Sequence, residues 1–295
     1  MGGSMGARKL VNVVLSGLPG ELQDIRNRCG LSLEVVCDPL KWQQSKLSRM
    51  ENGQQCISDV DLGSLFVLYK VASQERSHLL HLSERQDDPG HWEVSSPVAQ
   101  ESRTLKRLEH STSAIVDVAP ALIPELVQTA DYARAIMESD GVPSEHIAAR
   151  VDERMERQSI LAKQKAPKLD LIVSEAALRR PMGGRDVTTK QLRILQESAK
   201  QPDVRFRIVP FAVSGDAGMH TAFSVMEFKS ARSVVYLQHP TTGLFLEQPD
   251  KIESYRRRVT RLARFTLDPA ESLDLLASIT QEFELVHDAE AIQVR

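Results

Sequence analysis

Between Gln43 and Arg49 the chain sets six polar side chains, Gln43, Gln44, Ser45, Lys46, Ser48 and Arg49, around the apolar residue Leu47, with Met50 following three positions later. Leu47 and Met50 share one face of a helix at that spacing, so the amides, hydroxyls and cations are left to point the other way. Base edges and phosphates ask for that chemistry. A carboxamide can pair with adenine through two hydrogen bonds, a guanidinium serves guanine or phosphate, and hydroxyls and ammonium groups hold the backbone. Gln44 is the candidate for an adenine contact, and Arg49 for a guanine or a phosphate contact.

The flanking residues supply the elements that would hold such a helix. Ser32 is placed to cap a preceding helix carrying Leu33, Val36 and Leu40. The presenting helix starts near Gln43 and closes with Glu51-Asn52-Gly53, where Gly53 can adopt the left-handed cap. An earlier helix carries Leu22 and Ile25 and ends at Cys29-Gly30. A fourth follows Ser58, with Asp59 and Asp61 favourably placed in its first turn, and a fifth carries Leu79, Leu80 and Leu82. Five helices are therefore expected between Leu18 and Leu82, before a turn-forming stretch at Gln86-Asp-Asp-Pro-Gly90.

The run QQSKLSRMENG resembles the recognition helix of the Cro/phage-repressor (XRE-type) helix-turn-helix family. GLSLEVV resembles the helix before it, and ISDVDLGSLFVLYKV the later helix that closes the small core. The resemblance implies that Gln43, Gln44, Ser45, Lys46, Ser48 and Arg49 contact an operator in double-stranded DNA. It also implies a homodimer matching the two-fold symmetry of a palindromic site. The chain departs from the family at three positions. Lys41 stands where a turn glycine is usual, and a left-handed backbone costs a non-glycine residue roughly 1 kcal/mol. Pro39 falls in the last turn of the preceding helix and removes a backbone donor. Leu33 occupies a place where related repressors often carry a polar contact.

A chain of 295 residues is too long for one helical module. Residues 1–17 read as an N-terminal extension, 18–85 as the helix-turn-helix domain, 86–96 as a linker and 97–295 as a larger α+β domain for dimerisation and regulation. In that domain a long helix is expected from Pro97 to Val116, then a turn at Val118-Ala-Pro120, then helices around Ile123–Ile136 and Ser144–Lys165. Short apolar runs at Leu169–Val173, Phe206–Pro210, Phe223–Phe228, Val234–Leu237 and Gly243–Glu247 read as strands. Helices at Thr188–Ala199, Pro249–Thr266 and Pro269–Phe283 separate or follow them. Several strands in succession favour an antiparallel sheet.

Blocks such as ALIPELVQTADYARAI, VRFRIVPF and FLEQPDKIESYRRRVTRLARF resemble the large C-terminal domain, of unknown function, of actinobacterial XRE-type regulators, a group that includes WhiJ-like proteins. Such regulators are often paired with a small protein and described as antitoxin-like. The resemblance therefore implies transcriptional control with a small partner protein or a small-molecule effector.

Charge weighs the other way. The whole chain carries a formal net charge of −3, and seven basic side chains face nine acidic ones between Leu18 and Glu84. Since affinity for phosphates comes mainly from cations displacing counterions, binding is expected to be weak or strongly salt-sensitive. A fold kept as an interaction module, without DNA reading, is the alternative. Three cysteines, Cys29, Cys37 and Cys56, fit no zinc spacing and read as small buried residues. The eight histidines form no metal motif, so no metal or cofactor is expected. His220 and Asp216 are the residues a repurposed enzyme would use, in the turn Gly215–Thr221. Met182-Gly-Gly-Arg185 reads as a tight turn, and the Arg256-Arg257-Arg258 run as a solvated helix face. No apolar stretch is long enough to span a membrane, and a cytoplasmic protein is expected.

Overall fold

The structure, a computed structural model, describes residues 18–51, 55, 57–84, 91–94, 98–213, 219–229, 232–239 and 242–293. They fall into two compact units, one comprising the residues up to His91 together with Lys229–Val234, the other Trp92–Phe228 and Val235 onward.

The first unit contains five helices, α1 (Leu18–Arg28), α2 (Leu33–Leu40), α3 (Gln44–Glu51), α4 (Asp59–Leu68) and α5 (Ser73–Glu84). Ser32 Oγ accepts from the Val35 amide at 3.3 Å and Ser58 Oγ from the Asp61 amide at 3.1 Å, which fixes where α2 and α4 begin. Leu22, Ile25, Val36, Leu47, Met50, Leu62 and Leu79 close a single core, with Leu33, Leu40 and Trp42 packed against it. Leu80 is 44% exposed, against expectation, because its neighbour Leu79 already faces inward and adjacent helical residues point about 100° apart. Cys37 is buried but Cys29 is exposed. Gly53 and Cys56 lie outside the described residues.

The α2–α3 turn shows what Pro39 and Lys41 do. Pro39 is exposed in the last turn of α2, and the helix continues to Leu40. Lys41 takes the left-handed backbone (φ 54°, ψ 36°). Its amide donates to Asp38 O at 3.2 Å, and the Trp42 amide donates to Cys37 O at 3.0 Å. Those two bonds are the Schellman closure that a glycine usually permits.

The second unit is α+β. Along the chain come β1 (His91–Val94), α6 (Val98–Ser111), β2 (Ala114–Ala119), a 3-10 turn at Glu125–Val127, α7 (Ala130–Ser139) and α8 (Ser144–Gln158). Then follow β3 (Lys168–Ser174), α9 (Glu175–Arg179), α10 (Arg185–Ala199), β4 (Val204–Val209), β5 (Phe223–Glu227), β6 (Val234–His239), β7 (Thr242–Leu246), α11 (Pro249–Leu262) and α12 (Pro269–Gln293). The strands form one sheet in the order β1-β7-β6-β5-β2-β3-β4.

Three differences from the sequence reading matter. His91–Val94, assigned to the linker, is a strand. The long helix expected to reach Val116 ends at Ser111, and Ala114–Ala119 is a central strand. Its alternation of β-branched residues suits a sheet, and the Ser113 amide and Thr112 hydroxyl are both held by Glu227 O at 2.7 Å. The sheet is consequently mixed rather than wholly antiparallel: β2 pairs parallel with β3 and β3 with β4, while β2 pairs antiparallel with β5.

Side chains alternate across β2. Val116 and Val118 join the apolar layer beneath α11, with Ile172, Val225, Ile252 and Leu262. Ile115, Asp117 and Ala119 therefore face the opposite side. On that side Asp117 has Leu171 of β3 and Ser224 of β5 as its direct cross-strand neighbours.

Candidate functional site

The helix-turn-helix surface is built from the inside. Leu47 and Met50 of α3 are fully buried, as the spacing requires. Arg26 of α1 anchors the far end of α3 through a buried two-pronged ion pair, with Nε to Glu51 Oε1 at 2.7 Å and Nη2 to Oε2 at 2.9 Å. Its remaining nitrogen donates to Leu31 O at 2.7 Å, in the turn between α1 and α2. One guanidinium thus ties three segments together and fixes the pose of α3. The hydrogen bond to Glu51 raises the Arg26 pKa beyond its ordinary value despite burial.

On the outer side Gln43, Gln44, Ser45 and Arg49 are exposed, while Lys46 and Ser48 are half-buried. Lys46 differs from expectation in a useful way. Its ammonium donates to Asp61 of α4 at 2.7 Å and sits 4.1 Å from the centre of the Trp42 ring. A lysine paired with a carboxylate and seated over an indole has its charge partly neutralised, which weakens its pull on a phosphate. Arg49 donates to Gln55 through a long 3.4 Å hydrogen bond. The exposed polar row is Gln43, just before α3, with Gln44, Ser45 and Arg49 on it.

The second unit has a partly open cavity of about 520 Å³ on the Asp117 side of the sheet, bounded by α6, α7, α8 and the Glu125–Val127 turn. Glu125, Arg154, Arg157, Glu109 and Gln238 form a charged network along its wall. Arg157 donates to Glu109 through Nε (2.9 Å) and Nη2 (2.6 Å), and to Glu125 through Nη1 (2.7 Å). Arg154 reaches Glu125 at 2.6 Å and Gln128 at 2.8 Å, and Gln238 adds a 2.9 Å bond to Glu125. The turn carrying Glu125 is fixed from α8 by Gln158, which donates to Glu125 O and Gln128 O, each at 2.8 Å. From α10, Gln191 donates to Val127 O at 2.8 Å and accepts from the Thr129 amide at 2.6 Å.

Burial alone would raise the Glu125 carboxyl, but Arg154, Arg157 and the hydrogen bonds win and hold it at about 2. Burial likewise opposes the Arg157 charge, and Glu109 and Glu125 overcome it, so that pKa lies well above the ordinary value. Asp117 goes the other way. Burial pushes its carboxyl up to about 7, Glu125 and Glu109 add to the rise, and Arg157 and the Ser224 hydroxyl offset part of it. A lone carboxylate among β-branched residues, in Ile115-Val-Asp-Val-Ala119, was the signal available in the sequence for this residue.

The remaining candidates do not converge. His220 is exposed, and Asp216 lies outside the described residues. Gly183 and Gly184 take left-handed φ values of 69° and 89°, the tight turn expected there. A Cβ on Gly183 would also come within 2.6 Å of Ala135 Cβ. Arg256 pairs with Glu227 and Arg258 lies over the Tyr255 ring. Among the described residues no group of three or more His, Cys, Asp or Glu is placed to hold a metal ion, and no helix is long and apolar enough to cross a membrane.

Comparison with known proteins agrees with the two-part organisation. A helix-turn-helix domain model matches residues 18–79, the segment that folds as α1–α5. A model for a domain of unknown function, DUF5753, matches residues 102–278. No curated protein matches the chain. Because the second match covers more than half of the sequence, the protein belongs to the DUF5753 family, with a helix-turn-helix domain of DNA-binding type ahead of it.

Proposed function

We propose that the protein is a sequence-specific transcriptional regulator of the XRE type, a cytoplasmic homodimer close to the WhiJ-like, antitoxin-like group. In this reading residues 18–85 read an operator, residues 86–96 connect, and residues 97–295 dimerise and take an input from a small ligand or a small partner protein. The observation that carries it is the exposed row Gln43, Gln44, Ser45 and Arg49 on a helix whose opposite side is locked into the core. Polar side chains on a rigid helix are what major-groove reading needs. The input reading draws support from the cavity beside Asp117. Self-association draws support from α4, where Val60 and Val67, seven residues apart on one face, are 80% and 73% exposed.

The test is fluorescence-anisotropy binding to the DNA upstream of the protein's own gene, against random duplex, across a salt series. A preference for the native fragment that Gln44→Ala weakens by about 1–3 kcal/mol at one base position supports the reading. Equal binding to both duplexes at every salt concentration overturns it. One observation favours the alternative, a helix-turn-helix kept as an interaction module: Lys46 is engaged with Asp61. If that holds, Arg49→Ala leaves DNA binding unchanged.

A further inference from the structure

On the sheet side of the cavity in the second unit stands a carboxyl that the wall's ion-pair network does not serve. Every guanidinium nitrogen that Arg157 turns toward the wall is taken by Glu109 or Glu125, and Arg154 is divided between Glu125 and Gln128. Two arginines and two carboxylates therefore balance one another. Asp117 is the carboxyl left over. Its partner is the Ser224 hydroxyl, and among the described residues it forms no ion pair. It lines the cavity and is half-buried, so its oxygens are reachable from that space.

The rest of the lining sorts the possible occupants by charge. Five carboxylates (Glu109, Asp117, Glu125, Asp140 and Glu153) face three guanidinia (Arg150, Arg154 and Arg157), so the cavity is acidic. An anion entering it would find Arg154 and Arg157 already paired, with Arg150 the one guanidinium of the lining outside that network, and a half-buried carboxyl ahead of it. A neutral apolar molecule would leave Asp117 as it is. A cation would supply the counterion that the fold withholds, with Leu105, Ile136, Met137 and Met226 beside it to cover an apolar body.

We infer that this cavity binds a small organic cation, a protonated amine on an apolar body, with the Asp117 carboxylate as its counterion. The inference rests on the reading that the second unit takes a ligand as input, and adds the class of ligand. The groups facing Asp117 are Glu109 from α6, Glu125 from the 3-10 turn, Arg157 from α8 and Ser224 from β5, with the uncharged Leu171 from β3. Because Asp117, with its pKa raised to about 7, is protonated at mildly acidic pH, amine binding must be accompanied by proton release there.

The experiment is isothermal titration of the full chain with phenethylamine, phenethyl alcohol and phenylacetate, at pH 6 and pH 8.5, in buffers of different ionisation enthalpy. The expected result is that the amine binds at least tenfold more tightly than the alcohol, and phenylacetate more weakly still. Close to one proton should leave per amine bound at pH 6 and almost none at pH 8.5. Asp117→Asn, confirmed folded by circular dichroism, should abolish both the preference and the proton release. If that variant does not fold, the amine preference and proton count of the unaltered protein decide. No binding of the amine, no preference over the alcohol, or a folded Asp117→Asn protein that keeps the preference each overturns the inference. Adding the same probes to the DNA-binding assay separates the two levels. An amine that binds the cavity but leaves DNA affinity unchanged sinks the input reading alone. An alcohol or acid that binds in place of the amine and shifts DNA affinity sinks the ligand class alone.

Discussion

Both units bury arginine–carboxylate pairs, and they use them differently. In the helical unit Arg26 and Glu51 are matched one to one, with the spare guanidinium nitrogen on a backbone carbonyl, and nothing is left over. In the α+β unit Arg154 and Arg157 are matched to Glu109 and Glu125, but a third carboxyl, Asp117, stands beside them without a cation. A closed pair is a pin: it fixes the angle of α3 and has no further capacity. An open set tolerates a charge deficit in its resting state, and a deficit facing a cavity is where an added charge changes most. Burial of a charge thus marks scaffold in the first unit and a binding position in the second.

The largest effect should come from breaking the two sets in parallel. Removing one partner of a buried ion pair leaves an uncompensated charge and costs about 3–5 kcal/mol. Arg157→Met strands Glu109 and leaves Glu125 to Arg154 and Gln238, and should lie at the upper end of that range, whereas Arg26→Met strands only Glu51. Urea unfolding of a Trp92→Phe background separates the units, because Trp42 fluorescence then reports on the helical one and far-ultraviolet circular dichroism on both. Arg26→Met should move the fluorescence transition, and Arg157→Met only the circular-dichroism component it does not share. If Arg157→Met is nearly neutral, Arg157 does not hold the buried carboxylates as ion pairs and Asp117 has no special status.

The next effect is a pH dependence of opposite sign at two carboxyls. Asp117 has a folded pKa of about 7 against 3.8 for the free side chain. Below 3.8 it is protonated in both states and contributes nothing. Between 3.8 and 7 the unfolded chain gives up the proton that the folded one keeps, so stability falls as pH rises, and the full cost stands above about 7. Asp117→Asn should therefore stabilise the α+β unit by about 2–4 kcal/mol at pH 8 and by little at pH 4. Glu125, held at about 2, acts in reverse: its contribution is complete above 4.5 and is lost as pH falls toward 2. Denaturant midpoints across that range check both, and a wild-type-to-variant difference for Asp117→Asn that is flat from pH 4 to pH 8 contradicts the carboxyl's placement.

What the sequence made legible follows the same division. Periodicity is local, so Leu47 and Met50 as the inward pair, the Ser32 and Ser58 caps and strands β3 to β7 could be read from spacing alone. Partners are not local. Glu51 lies 25 residues from Arg26, and Glu109 lies 48 from Arg157, and nothing in either neighbourhood names the other. Lys46 was legible as a polar side chain but not as the partner of Asp61 on another helix. Asp117 was hidden for a further reason. The helix spacing of Leu105 and Leu108 ran without punctuation into Ile115-Val-Asp-Val, where the period changes from helix to strand between Thr112 and Ser113. The parallel pairing of β2, β3 and β4 then depends on crossover segments that no strand's own sequence encodes.

The smallest effect sharpens what the helical unit tolerates at its turn. Lys41 holds φ at 54° in the Schellman closure between α2 and α3, and its ammonium stands 3.8 Å from an equally exposed Asp38. An exposed pair of that kind contributes little, so the left-handed backbone dominates the balance. Lys41→Gly relieves roughly 1 kcal/mol of backbone strain, offset by the greater freedom glycine has in the unfolded chain. The net expectation is a stabilisation of about 0.5 kcal/mol in the Trp42 fluorescence transition, with the α+β unit unmoved. The DNA readout is independent of that gain. If Lys41 also touches phosphate, the glycine variant binds every duplex more weakly and with a shallower salt dependence, because one counterion-displacing charge is gone. A variant that is more stable and binds with an unchanged salt slope shows instead that Lys41 is only a strained substitute for the glycine a Schellman turn favours.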